Sequence, residues 1–144
     1  MPMFTGLSHV ALKVTNLDRT LAFYGQLGLR EMFRLHKDDG QVWLVYLRIT
    51  DTQYLEIFPG AENDRAPGWN ANGTNHLCLT VANLQDTVAE LHRLGIPLLI
   101  EPQRVLDGNW QAWIEDPDGN RLELVELDAD CLQLQAIARL RAEG

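Results

Sequence analysis

The 144-residue sequence predicts an α+β fold made of two tandem βαβββ modules whose curved sheets line an open cavity. Three observations carry that expectation. The chain repeats itself: displaced by 67 residues, Gly6–Arg30 lies over Gly73–Pro97 with ten of 25 positions identical, including Gly6/Gly73, His9/His76, Asn16/Asn83 and Gly28/Gly95. The same offset, without a gap, lays Trp43 on Trp110, Asp51 on Asp118, Leu55 on Leu122 and Glu56 on Glu123. Finally, each copy passes from an alternating apolar pattern through a helical stretch with cap residues and back to strand patterns. One unit has been duplicated.

The elements follow in order. Module one, residues 6–58, opens with HVALKV, whose alternation reads as a half-buried strand. A helix is expected next, entered at Asn16, whose side chain suits an N-cap, and left at Gly28, which tolerates left-handed geometry. Strands at about 30–35, 41–49 and 53–58 complete the module, broken by the turn Asp38-Asp39-Gly40 and a corner at Asp51-Thr52. Residues 59–73, rich in Gly, Asn and Pro, form a linker. Module two, residues 74–127, repeats the order with HLCLTV, a helix between Asn83 and Gly95, and strands at about 97–104, 109–115 and 120–127. The last two are joined by Asp116-Pro117-Asp118-Gly119, where Pro presets φ at the second turn position and Gly suits the fourth. A C-terminal helix over 129–143 carries Leu132, Ala136, Ile137 and Leu140, a stripe that reads as a packing face. The whole of 1–144 is read as a single domain, long enough to bury a core without staples.

Composition limits the function classes. The chain is 46% hydrophobic and 22% charged, an ordinary globular balance. A net charge of −8 argues against nucleic acid as partner, because phosphates are collected by a basic face. No apolar run approaches the roughly 20 residues that span a bilayer, so no membrane role is expected. Met1–Gly6 has neither a basic region nor an apolar signal core, and Cys78 and Cys131 make no disulfide framework; the expected location is cytoplasmic.

Every second side chain on a strand shares a face. His9 therefore goes with Ala11 and Lys13, His76 with Cys78 and Thr80, Glu56 with Tyr54 and Phe58, and Glu123 with Arg121 and Val125. Glu56 in YLEIF and Glu123 in RLELV are each flanked by aliphatic residues. A carboxylate there carries a steep desolvation cost unless it is paired or bound to a cation. A single histidine of this kind is more often structural than a ligand. Two histidines and two glutamates at equivalent points of a repeat form a constellation, and that donor set suits divalent Ni, Co, Zn, Mn or Fe. His36 and His92 have no counterpart across the repeat and read as solvated surface.

At these residues the chain resembles the vicinal oxygen chelate superfamily, most closely its glyoxalase I (lactoylglutathione lyase) branch. The carriers are LSHVALKV, FYGQLGL, YLEIF, NHLCLTV and EDPDGNRLELVE, spanning Leu7 to Glu126. The resemblance implies the glyoxalase/bleomycin resistance/dioxygenase fold with all four metal-ligand positions filled, by His9, Glu56, His76 and Glu123. Fosfomycin-resistance and extradiol dioxygenase branches typically use three of the four, and bleomycin-binding relatives lack the set.

What the resemblance implies chemically is a metal-dependent lyase or isomerase that moves a proton between neighbouring carbons through a metal-stabilised enediolate. Glu123 and its partner Glu56 are then the catalytic proton carriers, and Lys13 and Trp113 the expected substrate contacts. The implied substrate is a small molecule such as a glutathione hemithioacetal, the implied cation is nickel or cobalt ahead of zinc, and the implied assembly is a homodimer. Three departures stand against the family pattern: Lys13 replaces an arginine and Gly60 an asparagine, both of which help hold glutathione, and Phe23-Tyr24-Gly25-Gln26-Leu27-Gly28 is one residue short. Two alternatives follow: an epimerase or isomerase of a coenzyme A ester or keto-sugar, or a non-catalytic small-molecule-binding protein. Glu56 stands where methylmalonyl-CoA epimerases usually carry glutamine, and intact ligands disfavour the binding protein.

Overall fold

The computed structural model describes residues 2–144, which form two compact units. One unit comprises the chain through Ala66 together with Asp116–Asp118; the other comprises Pro67–Glu115 and Gly119–Gly144.

The first unit contains β1 (His9–Val14), α1 (Leu17–Gln26), β2 (Glu31–His36), β3 (Val42–Arg48) and β4 (Tyr54–Pro59). Its sheet has the order β1-β4-β3-β2, with β1 parallel to β4 and the other neighbours antiparallel. Asn16 caps α1 as expected, its side chain accepting from the Arg19 N–H at 3.0 Å. Gly28 turns the chain out of the helix at φ +86°, in the left-handed region that favours glycine. Val14, Tyr24, Val45, Leu55 and Ile57 are completely buried. The Tyr24 hydroxyl donates to Asp116 Oδ2 at 2.9 Å, and burial, followed by the charge of Asp116, pushes its pKa well up. Asp118 accepts from the Thr15 hydroxyl at 2.6 Å and from Arg19 at 3.2 Å. The Asp-Pro-Asp-Gly turn thus does more than reverse the chain.

The second unit contains β5 (Leu77–Thr80), α2 (Leu84–Arg93), β6 (Ile100–Arg104), β7 (Trp110–Glu115), β8 (Arg121–Glu126) and α3 (Leu132–Glu143). Its sheet, β5-β8-β7-β6, repeats the first in order and in strand direction. The two βαβββ modules are therefore present as expected. Asn83 caps α2 through the Asp86 N–H, and Leu84, Val88 and Leu91 make the buried stripe. β6 begins at Ile100, three residues after the expected start at Pro97, a residue that offers no N–H to a ladder. His36, expected as solvated surface just past a strand ending near residue 35, ends β2 and is exposed.

The C-terminal helix begins later than expected, at Leu132, after the N-cap Cys131. None of its residues is buried, and Leu132, Leu134, Ile137 and Leu140 are all exposed. The stripe expected to pack has no cover among the described residues, because α3 is held at its start rather than along a face. The Leu132 N–H donates to the Asp107 carbonyl at 2.9 Å, and Gln133 Nε2 donates to Asp107 Oδ2 at 2.7 Å.

Candidate functional site

In the first unit, parallel pairing of β1 with β4 places Ala11 opposite Glu56, one step along the same face from His9. The His9 imidazole reaches back to that carboxylate, with Nε2 2.9 Å from Glu56 Oε2. Antiparallel pairing sets Tyr46 of β3 directly across from Glu56. Its ring packs edge-on against His9 at 5.6 Å and stacks on Phe33 at 4.7 Å. Desolvation first, and then the Glu56 carboxylate, push the Tyr46 phenol pKa up. Lys13 is exposed on the His9 face, with its ammonium 5.9 Å from the centre of the Phe58 ring. Gly60, where the family pattern has asparagine, adopts φ +89° beside Lys13, a conformation that strains any residue with a side chain.

The second unit builds the equivalent pair more elaborately. β5 and β8 set Cys78 opposite Glu123, and His76 Nε2 lies 3.0 Å from Glu123 Oε2. His76 Nδ1 faces the Asn75 amide oxygen at 2.8 Å. That oxygen only accepts, so Nδ1 carries the proton and Nε2 is the nitrogen turned to Glu123. Trp113, 7% exposed, lies across from Glu123 on β7 and packs edge-on against His76 at 4.7 Å and Trp69 at 5.4 Å. Hydrogen bonding orients the Gln111 amide: its nitrogen donates to Glu123 Oε1 and its oxygen accepts from Trp113 Nε1 at 3.1 Å. Arg121 stacks over Trp69 at 4.3 Å and donates to the Asn75 carbonyl at 2.7 Å. Desolvation, followed by the neighbouring Glu123 charge, pushes the Cys78 thiol up to about 12.

Each pair suits a divalent cation. A nitrogen and an oxygen each roughly 2.1 Å from one cation, at a right angle, stand about 3 Å apart. The observed separations of 2.9 and 3.0 Å match that edge, and they also suit an imidazolium–carboxylate hydrogen bond. Within either unit the donors come as a pair; among the described residues no group of three or more His, Cys, Asp or Glu is arranged to hold a metal ion.

Of the residues singled out from the sequence, His9 meets Glu56 and His76 meets Glu123, while Trp113 stands against the second pair and Lys13 lies farther along the first face. Sequence reasoning passed over Tyr46, although the 67-residue offset lays it on Trp113. Asn75 and Gln111 were also missed, and there the repeat gives no signal, because their counterparts are Ser8 and Leu44.

Comparison with known proteins places the chain in a family and agrees with the fold. A model of the Glyoxalase/Bleomycin resistance protein/Dioxygenase superfamily matches residues 6–124. A lactoylglutathione lyase of Neisseria meningitidis is 28% identical over 125 residues, 83% of this chain and 89% of that protein. The uncharacterized protein YwkD of Bacillus subtilis is 27% identical over 129 residues, 86% of this chain and 98% of that one. Among solved structures, a glyoxalase family protein from Enterococcus faecalis superposes with a TM-score of 0.72 at 29% identity, covering 87% of this chain and all of that one.

Proposed function

The chain belongs to the glyoxalase/bleomycin resistance protein/dioxygenase superfamily, and on that premise we propose that it is a divalent-metal-dependent enzyme of the glyoxalase I type. Its reaction is a proton transfer between neighbouring carbons of a small oxygenated substrate, with a glutathione hemithioacetal as the first candidate. The observation that carries this reading is the pair of matched His–Glu contacts, 2.9 Å in one unit and 3.0 Å in the other, at equivalent points of a duplicated module. The named lyase relative supports the substrate class.

His9, Glu56, His76 and Glu123 would hold the cation, nickel or cobalt ahead of zinc. When bound, the cation supplies Lewis-acid stabilisation of negative charge growing on substrate oxygens. The remaining work falls to side chains. A glutamate carboxylate takes the proton from one carbon and returns it to the next, the service that general bases perform. Tyr46 and Trp113 cover the imidazole edges with apolar rings and keep bulk water from the carboxylates. Lys13, exposed on the His9 face, offers a point charge to an anionic end of the substrate. We take residues 1–144 as one working domain and the cytoplasm as its compartment.

The test starts with metal. Calorimetric titration of metal-free protein with nickel or cobalt is expected to show saturable binding, weakened sharply by His76→Ala or Glu123→Ala. Metal-loaded protein is then given methylglyoxal with glutathione, and thioester formation is followed by ultraviolet absorbance. Absence of metal binding by wild type would sink the proposal. Binding without turnover would move the substrate to the coenzyme A ester or keto-sugar class.

A further inference from the structure

An imidazole ring keeps almost the same outline after a half-turn about its Cβ–Cγ bond, so shape alone does not decide where its nitrogens go. His76 is a case in point. Trp113 packs edge-on against it with ring centres 4.7 Å apart, a contact that distinguishes ring nitrogen from ring carbon poorly. The choice is made by Asn75, whose Oδ1 stands 2.8 Å from His76 Nδ1; a half-turn of the ring would put a carbon there. Asn75 in turn is held against exchanging its own oxygen and nitrogen. Its Nδ2 donates to the Trp69 carbonyl at 2.9 Å, and a reversed amide would set two oxygens against each other. The Trp69 ring lies over the Arg121 guanidinium at 4.3 Å, and Arg121 donates to the Asn75 carbonyl from Nε at 3.2 Å and Nη2 at 2.7 Å. Arg121 thus fixes the main chain of residue 75 and Trp69 its side chain. All of these residues belong to the second unit.

We propose that Asn75 is a positioning residue: it keeps a proton on His76 Nδ1 and so makes Nε2 the one nitrogen that His76 offers to a cation. That Nδ1 keeps its proton holds for the metal-free protein; that Nε2 receives a cation rests on the proposed function. Nε2 points at Glu123 Oε2 from 3.0 Å, where that contact would be made. Asn75 touches neither cation nor substrate and acts through the ring, as the outer partners of ligating histidines do. The segment through Trp69, which reads from the sequence as linker, is then what holds the histidine in place. The repeat does not supply this device twice: the residue before His9 is Ser8, whose side chain carries no amide.

The readout is nitrogen-15 NMR of histidine-labelled protein, with zinc as a diamagnetic probe and the His76 signals assigned by their loss in His76→Gln. Metal-free wild type is expected to show a slowly exchanging Nδ1 proton on His76, kept when zinc shifts the Nε2 resonance. Asn75→Leu removes the acceptor, so that proton is expected to exchange fast with water, and zinc affinity by calorimetry to fall about 10–100-fold. Arg121 still grips the main chain of residue 75 in this variant; if it nonetheless fails to fold, Asn75→Ala carries the same comparison. Asn75→Asp separates positioning from loop closure. Its carboxylate accepts from Nδ1 but has no donor for the Trp69 carbonyl, so the Nδ1 signal and most of the affinity are expected to return. An Asn75 that only ties the loop would make the Asp and Leu variants fail alike. That result, an unprotected Nδ1 in wild type, or an Nδ1 proton that survives Asn75→Leu would overturn the inference while leaving the proposed function intact. Failure of wild type to bind zinc, with the Nδ1 signal present, would instead remove the proposed function and leave Asn75 its role in the metal-free protein.

Discussion

Arg121 shows how much one side chain organises around the second pair. Its guanidinium stacks 4.3 Å from the Trp69 ring and donates to the Asn75 carbonyl at 2.7 Å, so it holds the residue that orients His76 and the ring that faces Trp113. Lysine at 121 would keep the charge and lose both the planar stack and the fork of donors. Arg121→Lys is expected to cost about 1 kcal/mol, the scale of a cation–π contact or a single hydrogen bond. Denaturant melts read the loss, and an altered tryptophan emission reports movement of Trp69. An unchanged melt and emission would show that the stack does not hold the segment in place. None of these partners was readable from the sequence. Trp69 sits in a stretch that reads as linker, and contact between residues 52 positions apart leaves no local pattern. Gln111 was hidden for another reason: on an apolar strand a glutamine whose counterpart is Leu44 looks like an ordinary break in the repeat. The four His and Glu positions stood out because the desolvation cost of a carboxylate shows in its neighbours, and the duplication shows it twice.

Among the elements, the helices follow local rules and were read closely. Asn16 and Asn83 cap the two central helices, and Gly28 and Gly95 leave them with positive φ, because capping and left-handed turns are properties of residues within a few positions. The α2 stripe gives a direct prediction. Leu91 is 2% exposed, and Leu91→Ala is expected to destabilise by about 2–5 kcal/mol, from lost burial plus the cavity left behind. Urea melts measure it; a loss under 1 kcal/mol would mean the surroundings close over the gap. The C-terminal helix was harder to place, because its apolar stripe finds no cover among the described residues and its anchorage is polar. Hydrogen bonds from Gln133 and then from the Asn109 N–H hold the Asp107 carboxyl below its ordinary value of 3.8. A carboxyl depressed by folding stabilises fully above its unfolded pKa and loses that contribution as pH falls through the folded value. Protection of the Leu132–Glu143 amides, taken against the intrinsic exchange rate at each pH, is therefore expected to fall on acidification below the ordinary aspartate range, more than in Asp107→Asn, which lacks the titration. Equal loss of protection in both proteins would place the anchorage elsewhere.

At the scale of the molecule, duplication explains why the sheet order and the His–Glu pairs were readable while the unequal surroundings of the two pairs were not. A repeat reports what its copies share; what has diverged, such as Gln111 against Leu44 or Thr80 against Lys13, needs coordinates. The chain also leaves much apolar surface uncovered. Phe33 and Leu35 on the edge strand β2, Trp43 on β3, and Leu132, Ile137 and Leu140 on α3 are between 43 and 57% exposed. An unpaired strand edge and an open apolar helix face are costly to leave in water and invite association. The commonest closed arrangement of identical chains is a twofold dimer, in which a patch of one copy meets the same patch of the other, and we propose that arrangement here. Light scattering across a dilution series is expected to give twice the 16.3 kDa chain mass, and Ile137→Glu, which puts a charge in the α3 stripe, is expected to shift the mass downward. Because Ile137 is exposed, that variant should keep the wild-type far-ultraviolet circular dichroism, so any change in mass reports association and not unfolding. A monomer mass for wild type at every concentration would count against the dimer, and an unchanged dimer in Ile137→Glu would move the contact from α3 to the β2 edge.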